Sequence, residues 1–108
     1  MNKLYAGIDV SSTTNYVYLM KPDGSKHSNF SAKNNPDGSK KIADNIVSAL
    51  MTLGISAAAI GIEATGVYGD NLMIYLRDES RLSSLQRFFK RLKFQLYLFL
   101  RRFSALNF

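Results

Sequence analysis

The chain has 108 residues, no cysteine, one histidine and a formal net charge of +6 at pH 7. That length suits one small domain near the lower limit of a self-sufficient core. The composition excludes disulfides and thiolate metal centres, leaves little scope for zinc or a histidine triad, and leaves oxygen ligands, of the kind that suit magnesium or manganese, for any metal.

The charge is unevenly placed. Residues 1–79 hold seven basic and eight acidic side chains, whereas residues 80–108 hold seven basic and none acidic. The start, Met1-Asn2-Lys3-Leu4-Tyr5, lacks a signal peptide's charged opening followed by a sustained apolar stretch, so a cytoplasmic protein is expected.

Residues 4–9 are almost continuously apolar and predict a central strand buried on both faces, ending in Asp9. Residues 15–21 are aromatic and branched, and Pro22-Asp23-Gly24-Ser25 favours a tight turn. Residues 26–32 then return as the second arm of a hairpin, with Phe30 as its inward residue. Asn35-Pro36-Asp37-Gly38 resets the chain. The apolar positions Ile42, Ile46, Val47, Ala49, Leu50 and Leu53 recur at helical spacing until Gly54, which predicts an amphipathic helix. Residues 58–63 form another short apolar strand, ending in Glu63, and a second helix is expected from Tyr68 to about Glu79.

Residues 80–108 follow a different rule. They contain six of the seven phenylalanines and no Gly, Pro, Asp or Glu. The run from Lys93 to Arg102 can be written as a basic amphipathic helix for a membrane surface or a partner. The alternative is an out-of-frame sequence left by a frameshift, so this tail is expected to be helical or disordered and unrelated to residues 1–79. With no uncharged apolar stretch of about 18 residues, no membrane span is expected.

Two acids delivered from the ends of two buried strands can share divalent cations, and a two-metal phosphodiester site uses three or four such ligands. The order strand, strand, strand, helix, strand, helix places Asp9 and Glu63 at one sheet edge if their strands are parallel neighbours. This is the opening of a ribonuclease H-like α/β fold with a mixed sheet, here incomplete. For Asp9 the plainer role is capping the next turn through Ser11, Ser12 or Thr13. For Glu63 burial without a partner would be costly. Gly66 reads as a turn, Tyr68 as a packed aromatic and His27 as an exposed hairpin residue, and Ser11 and Ser12 have no base nearby.

Tyr5-Ala6-Gly7-Ile8-Asp9-Val10-Ser11, residues 17–19, Asp23-Gly24, Phe30, Asn34 or Asn35, Gly38 and Gly61-Ile62-Glu63-Ala64-Thr65-Gly66-Val67-Tyr68 follow in a specific order and spacing. Together they resemble the N-terminal RuvC-like domain of the DEDD-type insertion-sequence transposases, the bridge-RNA-guided recombinases, over residues 4 to about 79. The resemblance implies that Asp9 and Glu63 are the first two metal-binding, catalytic acids, that Mg2+ serves the intact site, and that DNA and a guide RNA are partners, with a homo-oligomer as a further candidate. The third and fourth acids of the family lie further along, and no Asp or Glu follows Glu79. The chain therefore looks like a truncated front end of a transposase, residues 1–79, that is inactive alone.

Two other readings fit less of the sequence. A sugar-kinase-like or actin-like ATPase fragment also opens on Gly-Ile-Asp, but Ser11 stands where that loop wants glycine against a phosphate. A small nucleic-acid-binding protein would use the basic aromatic tail.

Overall fold

A computed structural model of the protein describes residues 2–88 and 94–103. Among the described residues, five strands and three helices follow in the order β1 (Leu4–Val10), β2 (Thr14–Met20), β3 (Lys26–Lys33), α1 (Pro36–Leu53), β4 (Ala57–Thr65), α2 (Asp70–Ile74), α3 (Arg81–Phe88) and β5 (Gln95–Phe103), with a π-helical turn over Tyr75–Glu79. The strands form one mixed sheet in the order β3-β2-β1-β4-β5. The hairpin pairs are antiparallel, whereas β1 with β4 and β4 with β5 are parallel.

The hairpin turn forms because Gly24 accepts φ +89°, a left-handed value that other residues resist. Asp23 Oδ1 accepts hydrogen bonds from the Ser25 amide at 2.9 Å and hydroxyl at 2.6 Å. These bonds favour the ionised carboxylate and hold it below its ordinary range.

Helix α1 begins where Asn35 Oδ1 accepts from the Gly38 amide at 2.8 Å, with Pro36 in the first turn. Gly38 is required there, since a Cβ would lie 1.7 Å from the Lys33 carbonyl oxygen. The helix ends at left-handed Gly54, φ +66°, after which the Ile55 amide returns to the Leu50 carbonyl at 3.0 Å.

The core lies between α1 and one sheet face. Ile42, Ile46 and Leu50 of α1 and Leu4, Ile8, Ile60 and Ile62 of the strands are buried in it. Leu72, Leu76 and Leu82 complete the same layer.

Three expectations are corrected. β1 is buried on one face only: Leu4, Ala6, Ile8 and Val10 point inward, while Tyr5, Gly7 and Asp9 are exposed, because the described helices pack on the inner face. The second helix starts at Asp70 rather than Tyr68 and is α-helical only to Ile74, a π turn carrying it to the expected end at Glu79, where extended Ser80 separates it from α3. Ser80 caps α3 without any acidic residue: its hydroxyl donates to the Leu76 carbonyl at 2.9 Å and accepts from the Ser83 amide at 3.2 Å.

The third concerns the tail, expected to be helical or disordered beside an incomplete sheet. Residues 95–103 instead form β5, because Leu96, Leu98 and Leu100 recur every second residue and pack on the core. Residues 89–93 and 104–108 of that tail, including Phe89 and Phe108, lie outside the described residues. Among the described residues no helix is long and apolar enough to cross a membrane.

Candidate active site at the strand ends

Parallel pairing of β1 and β4 sets Asp9 opposite Glu63 in register. Both side chains are exposed on the open face of the sheet, near the C-terminal ends of their strands. Adjacent strands lie about 4.8 Å apart, so the two carboxylates are nearest neighbours across the sheet. Among the described residues neither has a hydrogen-bond or ion-pair partner.

Extending the register gives the whole row. Tyr16 stands beside Asp9, Ser31 beside Tyr16, and Arg101 of β5 beside Glu63. These residues edge an open concavity of about 870 Å³ whose floor includes Gly7 and Gly61 and whose sides include Tyr18 and Phe99.

Loop contacts hold the strand ends in place. Asn34 Nδ2 donates to the Ser11 carbonyl at 2.8 Å and to the Tyr68 carbonyl at 3.1 Å, tying the loop after β1 to the segment after β4. The Ser11 hydroxyl donates to the Thr14 carbonyl at 2.7 Å and accepts from the Thr14 amide at 3.1 Å. That turn is closed by Ser11, so Asp9 is not its cap. Gly66 takes φ +60° in the turn after Glu63, as expected. Tyr68, read as packed, is 48% exposed. His27 is half-buried in the hairpin, its Nδ1 2.9 Å from the Ser28 hydroxyl.

Two paired carboxylates fall short of the three or four acidic ligands of a two-metal centre. No group of three or more His, Cys, Asp or Glu residues able to hold a metal exists among the described residues. The neighbour of Glu63 on its far side is the guanidinium-bearing Arg101, a like charge to any cation bound there. Reading the tail as a helix hid Arg101, and the period-two leucines of β5 are the signal that would have located it.

The IS110-type DEDD family, described as transposase, matches residues 6–83, a span that includes Asp9, Glu63 and Asn34. No curated protein matches the chain. Among solved structures, a Bacteroides thetaiotaomicron protein with an actin-like ATPase fold and unknown function is 14% identical, with a TM-score of 0.45 over 90% of this chain and 32% of its own. An Aquifex aeolicus member of the Ppx/GppA family is 8% identical, with a TM-score of 0.44 over 93% of this chain and 36% of its own. Archaeoglobus fulgidus Pelota is 8% identical, with a TM-score of 0.44 over 96% of this chain and 27% of its own. The chain spans about a third of the length of these structures, and likenesses of this size carry no argument about function.

Proposed function

The chain belongs to the IS110-type DEDD transposase family, and from that membership we propose that Asp9 and Glu63 are the first two acids of the family's metal-dependent, DNA-cleaving site. The observation that carries the reading is their pairing in register on parallel β1 and β4. The strand order β3-β2-β1-β4-β5, with β1, β4 and β5 parallel, supports a ribonuclease H-like, RuvC-like frame for them. When complete, such a site uses a hard cation such as Mg2+ to stabilise charge on the attacking and leaving oxygens of a phosphodiester.

This chain's own contribution is positional. The β1–β4 pairing fixes the spacing of the two carboxylates, and Asn34 bridges the two loops beyond them. DNA is the substrate this reading implies, with a guide RNA as the finer proposal and the cytoplasm as the compartment. With two paired carboxylates, no larger metal-holding group among the described residues and Arg101 beside Glu63, these 108 residues by themselves are expected not to cut DNA. The test is incubation of the purified chain with duplex element ends in Mg2+ or Mn2+. No nicking or strand exchange is expected, and metal-dependent cleavage that Asp9→Asn abolishes would contradict the reading.

A further inference from the structure

The open face of the sheet is aromatic at its centre and basic at its rim. Among the described residues, the large exposed apolar side chains of the strands are all rings, Tyr5, Tyr16, Tyr18 and Phe99, whereas the exposed aliphatic ones, Met51, Val67 and Ile74, lie off the sheet. Tyr18 on β2 and Phe99 on β5, 43% and 62% exposed, flank Gly7 and Gly61 in one cross-strand row.

A Cβ at Gly7 would meet nothing within 4 Å, and one at Gly61 only the Ala6 carbonyl oxygen at 4.0 Å. Neither glycine has a positive φ. Packing among the described residues therefore does not require the floor between the two rings to be bare. That floor spans three strand spacings, about 14 Å.

The rim supplies cations. Lys26 and Lys33 are exposed at the two ends of edge strand β3, paired with Met20 and Thr14 of β2. Lys3 lies at the foot of β1, its Nζ 4.9 Å from the centre of the Tyr97 ring, and Arg101 stands on β5 beside Glu63. Among the described residues of this face, these four outnumber the two acids, Asp9 and Glu63. Rings over a bare floor suit the flat faces of bases, and a basic rim suits the phosphates that join them. Bases stacked inside a duplex do not reach such rings, whereas those of an unpaired stretch do.

We propose that this face binds single-stranded DNA, with unpaired bases stacked on Tyr18 and Phe99 above Gly7 and Gly61. The gap of about 14 Å admits about three bases at the ~3.4 Å rise of stacked nucleotides. Asp9 and Glu63 lie two residues further along the same strands, about 7 Å away. Bases seated in the glycine row thus hold phosphates of their own strand level with the acids and with Arg101. The choice of DNA rests on the reading of the two acids as part of a DNA-cleaving site, whereas the stacking itself needs no metal.

Anisotropy of a fluorescein-labelled oligothymidine, titrated with the full chain in EDTA, tests it. The single strand is expected to bind at least tenfold more tightly than its duplex with oligodeoxyadenosine. An abasic strand of the same length keeps the charge without the bases, and should bind at least tenfold more weakly than oligothymidine. Tyr18→Ala and Phe99→Ala should each weaken binding about tenfold, whereas Tyr18→Phe and Phe99→Tyr retain it. Equal binding of the duplex or of the abasic strand by the wild-type chain would overturn the proposal, as would an affinity indifferent to both alanine variants. Tenfold tighter binding of oligouridine would overturn the choice of DNA, and a chain that self-associates through these rings and binds no oligonucleotide would overturn the whole. Mn2+ broadening at Asp9 and Glu63 is read separately. Its absence with stacking intact counts against the metal reading alone, and its presence without a single-strand preference counts against this proposal alone.

Discussion

Asp9 and Glu63 owe their positions to backbone pairing, because their side chains make no bond that anchors them among the described residues. Their identity as strand-end acids was legible in the sequence, since each closes an apolar run. The row around them was not, because Tyr16 and Arg101 arrive from strands whose register a sequence does not state. Asn15 is a different case. It is fully buried on β2 with neither side-chain atom hydrogen-bonded among the described residues. An unpaired buried amide costs about 1–3 kcal/mol. Asn15→Val, of similar size and better suited to a strand, should therefore raise stability in urea by about 1 kcal/mol or more. Gly38 is constrained in the opposite sense. Gly38→Ala drives a methyl into the Lys33 carbonyl oxygen, so the start of α1 must shift and the urea midpoint should fall well below wild type.

At the scale of elements, α1 and the hairpin form where their residues said they would, because local chemistry decides both: Asn35 caps, Gly54 stops and Gly24 turns. β5 was hidden because its leucines alternate within a basic aromatic run that no turn residue frames, and because its partner β4 is distant in sequence. Its anchoring to the rest is both apolar and ionic, with Arg102 donating to Asp70 of α2 at 2.6 Å. Leu98→Asp places a charge against the core and should lower the denaturation midpoint strongly, whereas a tail without a structural role would show no change. Helix α3 is tied to α1 through Asp44, which accepts from Lys40 at 3.0 Å and Arg81 at 3.4 Å. The Lys40 hydrogen bond, with help from Arg81, lowers the Asp44 pKa. A lowered folded value means stability that is present above about pH 4 and is lost as pH falls below it. Asp44→Asn should therefore remove a small part of the acid sensitivity, about 0.5 kcal/mol or less for so exposed a pair.

For the whole molecule, the decisive feature is a five-stranded sheet with helices on one face and a carboxylate pair on the other. The α/β class and the adjacency of β1 and β4 follow from strand order and connection rules. The one-sided burial did not, because an apolar run such as Leu4-Tyr5-Ala6-Gly7-Ile8 reads the same whether Tyr5 and Gly7 meet a helix or solvent. Membership in the transposase family covers residues 6–83, a span that includes the paired Asp9 and Glu63, two carboxylates where a metal-clamping site uses more.

Titration with Mn2+ while amide NMR signals are recorded tests that account most directly. Paramagnetic broadening is expected around Asp9 and Glu63, with weak affinity of about 10⁻⁴–10⁻³ M and its loss in Asp9→Asn. Tight micromolar binding, or broadening centred elsewhere and indifferent to that substitution, would contradict the reading of these two residues as one side of a metal site.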